Sequence, residues 1–158
     1  MDIGIRIRPV GRQQRDLLHE MYDQFEPLGA ALGLPPNGDE ARREWIERAL
    51  GYKMNLVAFS PAGAVVGHCF LVPDEAGSAE LAVFVHQGFR RQGVATALLK
   101  TALEWAGVEG LRRVWTLTGS ENTAALRLQE KLGFRVTNSA FYGAELEILL
   151  PLACACLV

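Results

Sequence analysis

The stretch Val85-His86-Gln87-Gly88-Phe89-Arg90-Arg91-Gln92-Gly93-Val94-Ala95-Thr96 holds the residues best suited to chemistry. An apolar run ends, a short basic link follows, and a helix opens on small residues. The first amides of a helix have no intrahelical partner, and the helix dipole favours an anion there. Gly93 and Ala95 let a pyrophosphate come close to the backbone. Arg90 and Arg91 add positive charge, and Thr96 adds a hydroxyl. This is the chemistry of a phosphate-cradling turn. It is not a P-loop, because no Gly-Lys-Ser/Thr follows, and the three-glycine spacing of a dinucleotide fingerprint is missing.

The flanking sequence supplies elements that can position this turn. Ile3, Ile5 and Ile7 alternate with Gly4, Arg6 and Arg8, a first strand stopped by Pro9 and Gly11. Leu17, Leu18, Met21, Tyr22 and Phe25 fall at helical spacing and predict a helix over residues 13–25. After the loop at residues 33–38, Asp39 is placed to cap a second helix with Trp45, Ile46, Ala49 and Leu50 on one face. Residues 55–60 and 64–72 read as a hairpin around Pro61-Ala62-Gly63. Residues 79–86 form a strand with Leu81, Val83 and Val85 on one face and Glu80, Ala82, Phe84 and His86 on the other. A helix apolar on most sides follows at residues 93–106, with Gly107 as its terminator. Then come a strand at 111–118, a helix capped by Ser120 or Asn122 with Ala125, Leu128 and Leu132 on its stripe, and strands at 134–137 and 144–150. The order predicts an α+β or mixed α/β sheet with helices on both faces.

Composition narrows the classes. The chain has 158 residues, 49% hydrophobic and 22% charged, which suits one domain with its own core. A net charge of −2 gives no general basic field for nucleic acid. The uncharged run at residues 148–158 is too short to span a bilayer and contains Pro151. Three cysteines, Cys69, Cys154 and Cys156, form no disulfide framework or zinc site and read as free thiols in a reducing compartment. With no secretory apolar block at the N-terminus, the expectation is a cytoplasmic protein.

Arg90-Arg91-Gln92-Gly93-Val94-Ala95 resembles the Arg/Gln-x-x-Gly-x-Gly/Ala signature of the GNAT superfamily of acyl-CoA-dependent N-acetyltransferases. Its context strengthens the resemblance. It follows the strand Glu-Leu-Ala-Val-Phe-Val at residues 80–85. About thirty residues on, residues 122–134 are similar to the family's Asn-x-x-Ala…Glu-Lys-x-Gly-Phe helix. The resemblance implies a single domain over residues 1–158, with a mostly antiparallel central sheet splayed at strands 4 and 5. It also implies acetyl-CoA as cosubstrate. The pantetheine arm would lie along the backbone at Phe84 and Val85, and the pyrophosphate on the turn formed by Arg90, Arg91, Gln92, Gly93, Val94, Ala95 and Thr96. Asn122 would reach the pantetheine side, and an amide near Val85 would polarise the thioester carbonyl.

The family reaction is direct attack of a free amine on the thioester in a ternary complex. Glu80 stands where many members place a general base, and its plain alternative is a solvated or ion-paired strand residue. His86 is a second candidate base, because it titrates near neutrality. His19 and His68 read as a helix-surface and a strand residue without visible partners. Family members often carry a tyrosine where this chain has Gln129. Tyr142 could then supply the proton to the leaving thiolate, or the thiolate could leave unassisted. The acceptor would be a small-molecule or peptide amine. Tyr22, Asp23, Glu26, Glu40, Trp45, Tyr142 and Glu145 stand in segments that build such sites, and their acidic members hint at a cationic one. No metal, nucleic acid or membrane is implied. The uncharged tail at 149–158 suits a homodimer contact, a pocket cover or a strand finishing in the core. Two other classes compete: an acyl-CoA-sensing module that catalyses weakly, which Gln129 favours, and a structural domain without cofactor.

Overall fold

The computed structural model describes residues 3–29, 33–75, 77–140 and 142–151. Among the described residues, seven strands and four helices follow one another in the expected order. They are β1 (Arg6–Pro9), α1 (Arg15–Asp23), α2 (Asp39–Leu50), β2 (Met54–Phe59), β3 (Val65–Pro73), β4 (Ser78–Val85), α3 (Val94–Val108), β5 (Arg113–Gly119), α4 (Thr123–Lys131), β6 (Arg135–Ala140) and β7 (Gly143–Leu149). The strands hydrogen-bond in the order β1-β2-β3-β4-β5-β7-β6. Two compact units share the chain. The first comprises Met1–Leu71 with Ala82–Ala102, and the second Val72–Leu81 with Leu103–Val158.

In the first unit β1, β2 and β3 form an antiparallel ladder. Helices cover both faces of β3. Gly67 faces α3, where a Cβ would come within 2.9 Å of a Leu98 methyl and 3.1 Å of a Val94 methyl. The next residue, His68, faces α1 and bonds Tyr22. Neighbouring strand residues point to opposite faces, so α1 and α3 lie on opposite sides. That is why β2 and β3 are buried almost end to end. Leu18, Met21, Tyr22 and Phe25 from α1 and the turn after it join Ile46 and Leu50 of α2, Val57 and Val65 to form the core.

In the second unit β5 pairs antiparallel with β7, and β7 with β6. The first three residues of β4 pair parallel with the first three of β5: Ser78 with Arg113, Ala79 with Val114, Glu80 with Trp115. So short a pairing accords with the expected splay. Val114, Thr116 and Thr118 are buried on one face of β5, and α4 reaches that face through Gln129.

Several local expectations are corrected. The first strand starts at Arg6 rather than Ile3. Gly38, not Asp39, is the N-cap of α2, and Asp39 lies in the first turn, where its charge meets the dipole. Residues Arg12–Gln14 form a separate 3₁₀ turn before α1. Helix α3 runs through Gly107 to Val108, and Gly110 at φ 84° follows it. The most deeply buried side chain of α4 is Gln129 rather than an apolar residue of the expected stripe. Cys69 is free and buried. Cys154, Cys156 and the tail from 152 lie outside the described residues.

Candidate active site

Strand β4 delivers the chain to the turn expected to hold a phosphate. At its end the His86 amide donates to Val66 O on β3 at 2.9 Å. Consecutive strand amides point to opposite edges, so the N–H of Val85 faces away from β3. His86 then opens the short 3₁₀ turn Gln87–Phe89, its Nδ1 accepting from the Gly88 amide at 3.1 Å. Arg90 is extended at φ −71° and ψ 155°, Arg91 is left-handed at φ 62°, and Gly93 is left-handed at φ 86°. A non-glycine residue at such a φ costs about 1 kcal/mol or more, a strain that clusters at binding turns.

This geometry leaves the turn's amides free. The first recorded intrahelical bond of α3 runs from Ala97 N to Gly93 O at 3.1 Å. Among the described residues, the amides of Arg91, Gln92 and Gly93 bond no acceptor, and those of Val94, Ala95 and Thr96 form the open first turn of α3. Successive amides of mixed handedness form an anion-binding concavity. Among the described residues, and leaving aside its two chain neighbours, no heavy atom stands within 4 Å of where a Gly93 Cβ would project, so a ligand can approach the backbone there. Val94 is buried under β3, which leaves only its main chain to a ligand.

The two arginines part company. Arg91 is exposed, and its guanidinium makes no hydrogen bond or ion pair among the described residues. Arg90 turns inward: its Nε donates to Val85 O at 2.9 Å, another nitrogen donates to Glu26 O, and the guanidinium lies over the Phe25 ring at 5.3 Å. Partial burial lowers its pKa, against the attraction of Glu26. Gln87 brackets the same segment, accepting from Glu26 N at 3.0 Å and donating to Gln24 O at 2.6 Å.

Behind the strand end, Phe84 packs edge-on to Trp45 at 5.3 Å and to Phe25 and Tyr22 at 5.9 Å. Its ring is committed to packing, and its main chain is what a ligand could meet. Beneath it lies a polar chain that sequence reasoning missed. Tyr22 Oη is 2.7 Å from His68 Nδ1, and His68 Nε2 is 2.8 Å from Asn55 Oδ1. Asn55 Nδ2 donates to the carbonyls of Ala49 and Tyr52. Its oxygen can only accept, so His68 carries the proton on Nε2 and the Tyr22 hydroxyl donates to Nδ1. Burial lowers the His68 pKa to about 3, so the ring is neutral. It also pushes the Cys69 thiol up to about 12, which leaves that thiol unreactive.

The expected catalytic residues belong to the second unit. Glu80 is half-buried on β4 opposite Trp115, and its side chain makes no hydrogen bond or salt bridge among the described residues. Burial, and then the nearby negative charge of Asp74, raise its pKa. Asp74 is itself held below the usual carboxylate range, first by the Trp115 indole N–H at 2.6 Å. Tyr142 is 69% exposed, and its carbonyl accepts from Ser120 N. Asn122 caps α4, its Oδ1 accepting from Ala125 N at 3.2 Å. Gln129 is buried with Oε1 receiving the Thr118 hydroxyl at 2.9 Å. Among the described residues no group of His, Cys, Asp or Glu could hold a metal ion, and no helix is long and apolar enough to cross a membrane.

The sequence profile of the Acetyltransferase (GNAT) family matches residues 15–134, and the chain belongs to that family. Human N-acetyltransferase 8 is 37% identical over 60 residues, 38% of this chain and 26% of that protein. An uncharacterised N-acetyltransferase of Methanocaldococcus jannaschii is 40% identical over 52 residues, 33% of this chain and 23% of that protein. The chain thus spans about a quarter of the length of these curated relatives. Among solved structures, the GNAT domain of S. lividans PAT superposes with a TM-score of 0.80 at 19% identity, over 92% of this chain and 90% of that one. The yncA protein of Salmonella typhimurium, solved with its cofactor acetyl-CoA, gives 0.74 at 23% identity, over 94% and 95%.

Proposed function

We propose that the protein is an N-acetyltransferase that moves an acetyl group from acetyl-CoA to a primary amine by direct attack in a ternary complex. The observation that carries this reading is the row of unengaged amides at residues 91–96, turned outward by left-handed Arg91 and Gly93. These amides, the Arg91 guanidinium and the Thr96 hydroxyl take the diphosphate. The fit is physical: free donors, open space at Gly93 and a helix dipole all favour a dianion. The family match and the acetyl-CoA complex of the Salmonella protein support acetyl-CoA as the ligand. The match also runs through both compact units, which supports their serving as one acetyltransferase domain.

The chemistry follows from the residues in place. Glu80, with its raised pKa, takes a proton from the incoming ammonium, directly or through water. The freed amine attacks the thioester carbonyl, while the Val85 N–H, facing away from β3, donates to the developing oxyanion. The N–C bond forms, the C–S bond breaks, the attacking nitrogen sheds its second proton to solvent, and the thiolate leaves. Tyr142 returns a proton to the sulfur, or the thiolate departs into solvent as it stands. Asn122 lends its free amide nitrogen to the pantetheine arm.

One observation favours a second reading. Gln129, buried and locked to Thr118, offers no titrating proton where relatives often hold a tyrosine, as suits a module that senses acyl-CoA without transferring the group. Titrating acetyl-CoA by calorimetry and following thiol release over a panel of amines separates the two. Binding with release supports the enzyme, binding without release supports the sensor, and absence of binding refutes both.

A further inference from the structure

Arg90 is positioned to hold the transfer site rather than to meet the phosphates. Its guanidinium fork closes on two main-chain carbonyls, Val85 O at the end of β4 and Glu26 O after α1. The Phe25 ring lies beneath it at 5.3 Å. Three residues earlier, the Gln87 carboxamide grips the neighbouring main chain at both ends, through Glu26 N and Gln24 O. The peptide between Val85 and His86 is therefore held from both sides, its carbonyl by Arg90 and its N–H by Val66 O. With Val85 itself held in strand conformation at the end of β4, a peptide fixed at both ends limits the plane of the one before it, which carries the Val85 N–H.

We propose that Arg90 and Gln87 are positioning residues: by tying the segment after α1 to the end of β4, they aim the Val85 amide at the position of the thioester oxygen. The strut itself rests on the hydrogen bonds alone, and its aim at the thioester oxygen rests on the acetyltransferase reading. Arg91, exposed and left-handed, supplies the charge at the turn, which explains why two adjacent arginines behave differently. The planar guanidinium holds two divergent carbonyls at once, and an ammonium cannot reproduce that fork.

The test compares Arg90→Lys, Arg90→Gln and Gln87→Ala with the wild-type chain. A strut role predicts that Lys fails as Gln does: each lowers kcat about tenfold, because an oxyanion donor is misaligned. Acetyl-CoA dissociation constants stay within about threefold of wild type, since no phosphate contact is lost. Gln87→Ala, at a site open enough to fold normally, lowers kcat about fivefold by the loss of its two bonds. Amide hydrogen exchange without ligand provides an arm independent of activity. Val85, His86 and Glu26 should exchange faster in all three variants, while the amides in the middle of α3 are unchanged. Rescue of kcat by Lys, or a tenfold weaker acetyl-CoA affinity with kcat retained, would make Arg90 a charge partner of the cofactor and overturn the proposal. Unchanged exchange at the three amides would overturn it too. If the wild-type chain binds no acetyl-CoA, the acetyltransferase reading falls, and exchange alone decides the strut.

Discussion

Replacing Gly93 is the most direct challenge to the turn. The residue sits at φ 86°, where any β-carbon costs about 1–2 kcal/mol. No atom stands within 4 Å of that β-carbon, so no clash is added and the fold should survive. Gly93→Gln and Gly93→Glu share this strain and nearly share bulk, so both should lose the same few degrees of melting temperature. They differ in charge. A carboxylate about 6 Å from a phosphate repels it by about 3 kcal/mol at an effective dielectric near 20. Screening at ordinary ionic strength roughly halves this for an exposed site, and two phosphates restore it to about 3 kcal/mol. Gly93→Glu should therefore bind acetyl-CoA about a hundredfold more weakly than Gly93→Gln, which itself loses affinity by bulk. Calorimetric titration of the three proteins, with melting curves as a fold control, measures both steps. Equal affinities for the Gln and Glu variants would refute the charge argument, and wild-type affinity in both would remove the turn as the diphosphate site.

Three other outcomes are expected. Glu80→Gln should lower kcat about a hundredfold with acetyl-CoA affinity nearly unchanged. It should also abolish a rise of activity with pH centred above the ordinary carboxylate range, because the raised Glu80 must lose its proton to act; a pH profile of kcat that keeps its acidic limb would clear Glu80. His68 is neutral when folded, with its pKa lowered to about 3, and protonates near 6.5 when unfolded, so folding stability must fall as pH drops from about 6.5 towards 3. The slope approaches about 1.4 kcal/mol per pH unit, and His68→Gln should flatten that part of a denaturant-derived stability curve. Thr118→Val strands the buried Gln129 oxygen and should cost about 1–3 kcal/mol in chemical denaturation, whereas a loss below a few tenths would show that the pair is not closed in solution.

The element order could be read from the sequence because each element announced itself locally. Tyr22 and Leu18 fall at helical spacing in α1, Val114 and Thr116 alternate in β5, and Gly133 stands just past α4. The turn was visible for the same reason: its glycine, its arginines and the strand before it are adjacent in the chain. What was hidden depends on pairs far apart. Asn55, His68 and Tyr22 meet across separations of 13 and 46 residues, and nothing local distinguishes His68 from any histidine on a strand. Helix α4 misled in a different way. Its apolar stripe of Ala125, Leu128 and Leu132 is genuine, but Gln129 goes deepest because Thr118 is waiting for it beneath. Periodicity counts apolar side chains and cannot see a buried amide that has a partner.

Adjacent arginines show the same division within two residues. Composition makes Arg90 and Arg91 equivalent cations at the mouth of a phosphate turn. Backbone handedness separates them: φ is −71° at the first and 62° at the second, so their side chains leave the chain in different directions. The extended residue falls back on the strand it has just left and finds carbonyls there. The left-handed residue is exposed and its amide bonds no acceptor among the described residues, at a conformational cost that glycine would avoid. A strained position filled by arginine two residues before a left-handed glycine thus makes sense if the turn exists to bind, whereas a turn needed only to join β4 to α3 would gain by having glycine there as well.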